Sequence, residues 1–298
     1  MGLTKLDDAL AEEVCGPVPA ACPPKSSAGG LSRLFSGSFL SKTLLQGGFF
    51  KLLSLATLLI SWHFMAVFKV LELPTPIQTL KVFVDLVIYG DPLYRKTLLE
   101  IVGSSLIIVI KACLLSFMVA VPLGVFMGSV AGVRKYFESI LEMIRPIPPL
   151  AWIPLSYVLF ASVDRPTEFV QIFVVFVGAF FPVLLDTIHG ISMVKPIYLE
   201  AARTMGASRS QILLRVVVPG ALPSIFNGIR VGFGVGWMCI VAAEFVGGKL
   251  GIGYYIWSSY SVGGRTAEII SGMVAIGLVG SIIGRLVVWL EKRLVPWR

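Results

Sequence analysis

Residues 200–219 read EAARTMGASRSQILLRVVVP, a polar, basic run lying between two strongly apolar segments. Arg203, Arg209 and Arg215 are costly to leave in hydrocarbon, so the stretch belongs outside it, although its composition is that of a helix former. Glu200 is followed by Ala201 and Ala202, a flat, small surface against which another protein can come close. Gly206 has no Cβ and allows a sharp backbone turn between two short helices. The run ends at Pro219, where the next apolar segment begins.

The 298-residue chain around this stretch is 56% hydrophobic and only 14% charged, and its mean hydropathy is +0.87. Soluble domains carry about a quarter charged residues. The fold class is therefore an all-α polytopic membrane protein of about six transmembrane helices. The net charge of +8 is spread between apolar spans, as topology-setting bases are, and does not point to nucleic acid. Cys15, Cys22, Cys113 and Cys239 lack CxxC spacing, so neither a disulfide framework nor a zinc site is expected.

Residues 1–45 form a separate region, acidic at first and then rich in Pro, Ser and Gly, a composition that cannot bury enough surface to offset chain entropy. The reading is a mobile cytoplasmic tail. The remaining region, 46–298, holds spans at about 52–71, 97–127, 138–160, 169–191, 220–245 and 268–290, with the polar loop at 195–219. Leu80, Phe83, Val84, Val87 and Ile88 keep helical spacing and predict a helix along the outer membrane face. Residues 247–265, GGKLGIGYYIWSSYSVGGR, are either an outer loop or a short re-entrant piece. Arg134, Lys135, Arg203, Arg209, Arg215, Lys292 and Arg293, with the bases of the tail, fall on one side. Lys81, Arg95, Lys96, Arg165, Lys249 and Arg265 fall on the other. The richer side, holding both termini and the loop at 195–219, is expected to be cytoplasmic.

Two spans are unusual. The third holds Pro146, Pro148, Pro149 and Pro154, each of which removes a backbone donor and clashes with the preceding turn. With no water in lipid to satisfy the freed carbonyls, this segment must be broken and face protein or a wet cavity. Pro148, Pro149 and Trp152 are thus candidates to line a pathway. In the fifth span, Gly228, Gly232 and Gly236 repeat every four residues and leave one face bare for a close helix neighbour, here expected to be a two-fold copy. Arg230 and Glu244 share that span and are candidates to line the pathway or gate it; with Lys111 in the second span they are the intramembrane charges that become functional candidates by default.

The spacing of Glu200-Ala201-Ala202, three residues, Gly206 and nine residues before Val216, then Val218-Pro219, resembles the EAA loop of permease subunits of bacterial ABC importers. Val216 and Val218 stand where that pattern has Ile and Leu. The run RPIPPLAWIP (145–154), with GAFFPVLLDTIHGI (178–191) and VAAEFVGG (241–248), resembles the branch that moves nitrate, sulfonates, taurine and bicarbonate, over roughly residues 70–298. The resemblance implies a type I importer permease whose loop, through Glu200, Ala201, Ala202, Gly206 and Pro219, is a coupling helix seated in a separate ATPase. It further implies a second permease subunit (a homodimer or close heterodimer), two cytoplasmic ABC ATPases that bind ATP and Mg, an extracytoplasmic solute-binding protein and a prokaryotic inner membrane. It also leaves room for a heterocyclic vitamin precursor as solute.

No GxxxxGK[ST], HExxH or GxSxG occurs, and there are two histidines. No cofactor or metal is expected in this chain, and an enzyme reading lacks a catalytic set. An ion-coupled secondary transporter using Glu244 and Lys111 is the competing class. Internal repeats would favour it, and none is visible.

Overall fold

The computed structural model describes residues 37–68 and 73–296. Among them the backbone is helical, with one isolated antiparallel bridge between Asp91 and Lys96. The chain divides into two compact units, Met1–Ser61 and Trp62–Arg298. Helix α1 (Gly37–Val67) crosses that boundary, and Leu53, Leu55, Leu58, Ile60 and Phe64 are all exposed on it. A helix apolar on every side needs lipid or protein around it. The first predicted span falls on α1 as far as Val67. Residues 69–71 of that span, most of the tail, Cys15 and Cys22 lie outside the described residues.

In the second unit, helices begin where the sequence can satisfy their free N–H groups. Thr75 starts α2 (Pro76–Ile88) and Thr97 starts α3 (Leu98–Ser129), each with a reciprocal capping box, to Gln78 and to Glu100. Helix α6 (Pro166–Ser192) is the spine, flanked by α3 on one side and α9 (Val218–Gly247) on the other. Half of its most apolar window is buried, against 11% for α11 (Thr266–Leu294), so α6 is the inner helix and α11 an outer one. Helix α10 (Ile252–Val262) wedges between α9 and α11, and α2 lies on α11.

Small residues set these close approaches. On α3, a Cβ at Gly124 would strike Thr187 of α6, and one at Gly128 would strike Ile191. On α9, Gly228, Gly232 and Gly236 face Asp186, Ala179, Val183 and Val175 of α6, and a Cβ on Gly232 would lie 2.8 Å from the Ala179 carbonyl oxygen. The neighbour on this glycine face is therefore a helix of the same chain. This corrects the expectation of a two-fold copy there. The stripe specifies that something comes close. The short polar loop, which returns α9 alongside α6, specifies what.

Among the described residues, four stretches are long and apolar enough to cross a bilayer unaided: Leu98–Ser129, Pro166–Ser192, Arg209–Gly247 and Thr266–Leu294. The first and third predicted spans correspond to shorter apolar stretches, Leu53–Val67 and Pro149–Leu159. The third is broken. Helix α4 (Ala131–Ile144) ends before Pro146, Pro149–Trp152 forms a 3₁₀ turn, and α5 (Ile153–Leu159) is seven residues long. The fifth is longer than the sequence implies, because α8 (Arg209–Ile212) runs through a π-helical turn at Leu213–Val217 straight into α9.

Candidate translocation cavity and coupling segment

The polar loop folds as helix α7 (Pro196–Thr204), a turn, then α8. Gly206 holds the turn with φ of +78°, and a Cβ there would meet no atom within 4 Å. Backbone conformation, rather than crowding, is what favours glycine at this point. Ser208 restarts the chain by accepting the Gln211 N–H while Gln211 accepts the Ser208 N–H. Underneath lies a small core of Ile191, Ala202, Ile212, Val217, Ala221 and Ile225. Ala202 is therefore turned into its own chain, so the flat surface expected from both alanines is reduced to one. The outward face carries Glu200 and Ala201, with Ile197, Tyr198 and Met205 exposed beside them. Pro219 stands in the first turn of α9.

The break after α4 faces a cavity of about 430 Å³. Arg145, Ile147 and Pro149 line it from the break, Phe181 and Asp186 from α6, and Asn227, Val231 and Val235 from α9. Pro148 precedes the 3₁₀ turn with an extended backbone. Trp152 sets its ring edge-on to Phe173, and its indole N–H is buried with no hydrogen-bond partner. At the cavity wall the Asn227 amide donates to Asp186 Oδ2 over 2.7 Å, tying α9 to α6, and Arg230 donates to Asn227 Oδ1 over 3.1 Å. Arg230 itself is exposed on the other side of α9 from the glycine face and lines a different groove. Lys111 is paired with Glu168 of α6 at 3.0 Å, which compensates its charge.

Glu244 lies apart from this cavity, fully buried. Its carboxylate accepts the Ser105 hydroxyl (2.6 Å) and the Gly253 N–H (2.7 Å), while Ser105 Oγ accepts the Ile252 N–H (2.9 Å). These two amides open α10, so a negative group is set against the positive end of that helix. Gly251, with φ of +131°, and Gly253 keep the space clear, since a Cβ on Gly251 would run into the carboxylate. Of the two readings left open for residues 247–265, this geometry is that of a short helix tied back into the bundle.

A second polar cluster joins α2, α10 and α11, and sequence reasoning gave it no role. Asp91, in the turn after α2, is buried; it accepts from Tyr255 (3.0 Å), from the Leu93 N–H (2.8 Å) and from Arg265, whose Nε also donates to Glu268 (3.2 Å). Tyr94 donates to Ser258 of α10. Burial, reinforced by the Asp91 carboxylate, pushes the Tyr255 phenol well above its ordinary range, so it stays protonated and donates. No local pattern announces this cluster; the one hint is a lone Asp between Gly90 and Pro92. Among the described residues no group of His, Cys, Asp or Glu is placed to hold a metal, and Cys113 and Cys239 are buried free thiols.

This arrangement has known counterparts. The nitrate import permease protein NrtB of Synechocystis sp. is 32% identical over 82% of this chain and 88% of its own length. The taurine transport system permease protein TauC of Escherichia coli is 32% identical over the same shares. Among solved structures, the inward-facing MetNI methionine ABC transporter superposes with a TM-score of 0.58 at 18% identity, covering 66% of this chain and 95% of that one, a likeness of fold. Residues 120–298 match the family described as binding-protein-dependent transport system inner membrane component, and the chain belongs to that family, as an ABC importer permease of the branch that includes the nitrate and taurine proteins.

Proposed function

We propose that this chain is the membrane-spanning half of an ATP-driven importer for a small oxyanion such as nitrate, a sulfonate like taurine, or bicarbonate. A solute-binding protein delivers the anion. A second permease subunit, a copy or a close homologue, completes the pathway. Two cytoplasmic ATPases bind ATP and Mg and seat on the loop at 195–219, which puts both termini in the cytoplasm. The observation that carries this reading is the continuous helix from Arg209 to Gly247. It holds the coupling turn at one end and the cavity-lining Asn227, Val231 and Val235 along its length. A push on Ile197, Tyr198, Glu200 and Ala201 is delivered through the small core beneath α7 to that helix, and moves the cavity wall against the broken segment.

Selectivity for an anion is supported by Arg145, which lines the cavity without a carboxylate partner among the described residues. A guanidinium fork suits the oxygens shared by nitrate, sulfonate and bicarbonate. Pro148, Pro149 and Trp152 shape the passage. Glu244 braces α10 away from the solute's path. The test is reconstitution of the permease with its ATPases and binding protein in vesicles. ATP-dependent uptake of nitrate, taurine or bicarbonate is expected, lost when Arg145 is replaced by glutamine. Uptake driven by a proton or sodium gradient without ATPases would instead make the chain a secondary transporter.

A further inference from the structure

Arg230 of α9 and Arg285 of α11 line one open groove with Ser281, Gly284 and Val288. The four α11 positions follow i, i+3, i+4, i+7 spacing and share one helix face. Arg230 spends one donor on Asn227. Arg285 makes no hydrogen bond or ion pair among the described residues, and both side chains are exposed. Two guanidinium groups thus converge in membrane-spanning helices with no carboxylate in the groove.

Depth says what they meet. At 1.5 Å per residue, Arg230 lies about 26 Å from the Gly247 end of α9, and Arg285 about 29 Å from the Thr266 end of α11. Those two ends are on the same side of the membrane, and the hydrocarbon core is about 30 Å thick. Both arginines therefore reach the far boundary, on the side of the coupling turn, where lipid phosphates sit. Trp289 marks the same level one turn on. It is exposed, and Arg293 stacks over its ring at 4.8 Å, an arrangement typical of interfacial residues. Ser281, one turn deeper than Arg285, lies about 23 Å from the same end, where the acyl chains begin.

We propose that this groove is a binding site for an anionic glycerophospholipid of the phosphatidylglycerol class, in the leaflet on the coupling-turn side. Arg230 and Arg285 share the phosphodiester, and Gly284 and Ser281, on the bilayer side of them, accept the start of an acyl chain. Basic pockets between spanning helices on that side are suited to anionic headgroups. Because Arg230 also holds Asn227 at the cavity wall, the lipid is linked to the wall through a single hydrogen bond.

The test is native mass spectrometry of the assembled transporter released from vesicles of mixed phosphatidylglycerol and phosphatidylcholine. Retained phosphatidylglycerol is expected on the wild type, reduced roughly tenfold or more by Arg230→Gln with Arg285→Gln, and unaffected by millimolar nitrate, taurine or inorganic phosphate. Should the double variant not assemble, Gly284→Leu fills the groove and leaves both charges in place; it is expected to lose the lipid as well. Equal retention by the variant that is measured overturns the proposal. So does displacement by a soluble oxyanion, which would make the groove a solute site instead.

Discussion

Ser105 of α3 donates to Glu244 of α9 across 2.6 Å in a site with no solvent exposure. Through that pair, three helices are fastened at one point, because the same two side chains take the first N–H groups of α10. Buried polar groups of this kind are costly when left half-satisfied. The contact therefore matters more for what its loss would expose than for its own strength.

Ser105→Ala is expected to leave the Ile252 N–H without a partner and to remove one of the bonds to Glu244, at about 1–3 kcal/mol. Glu244→Ala should cost more, since it strands both Ser105 and the Gly253 N–H. Thermal unfolding of the detergent-solubilised transporter, followed by tryptophan fluorescence, reads both. A melting temperature unchanged by Glu244→Ala would show that α10 is held by other means.

The glycines of α9 separate into two kinds. Gly232 has the Ala179 carbonyl oxygen within 2.8 Å of its would-be Cβ, while Gly234 has nothing within 4 Å. Gly232→Ala should therefore destabilise by about 1–3 kcal/mol through overpacking. Gly234→Ala should be neutral or stabilising by about 0.5–1 kcal/mol, from reduced chain entropy in a helix. The pair of unfolding curves decides it: equal shifts would mean that the α6–α9 contact is not as close as described.

At the turn between α7 and α8, Gly206→Val places a β-branched residue at φ of +78°, at about 1–2 kcal/mol of backbone strain. Because the surroundings are open, the cost is local and the chain should still assemble. Solute uptake is expected to fall much further than ATP hydrolysis in reconstituted vesicles, and Gly206→Asn, which tolerates the left-handed region, should restore much of it. Equal rates for the valine variant and the wild type would remove the turn from the coupling route.

The broken segment gives a labelling pattern. Ile147 is 40% exposed and lines the cavity, whereas Ser156 is fully buried and spends its hydroxyl on the Trp152 carbonyl at 2.6 Å. With the four native cysteines replaced by alanine, Ile147→Cys should react with a water-soluble maleimide and Ser156→Cys should not. Protection of Ile147→Cys in both nucleotide-free and ATP-bound transporters would mean that the cavity is dry.

The class of this fold and the place of the break were legible in the chain because each rests on a local rule. Apolar length marks a span, four prolines within ten residues forbid a continuous helix, and a glycine between short helical runs admits a left-handed turn. The same rules pointed to the turn at Gly206 and to the proline-rich wall as a candidate site. They could not say that Ala202 turns inward, because α7 presents one alanine to solvent and the other to its own small core. They could not assign the glycine stripe to α6, nor move Arg230 out of the cavity and onto a groove with Arg285. Asp91 and Arg265 stand 174 positions apart, and Ser105 and Glu244 139. Sequence alone determined which residues cannot face lipid unaided. What they face instead comes from how the helices pack, since a helix face fixes the kind of neighbour it needs while the path of the chain supplies the neighbour.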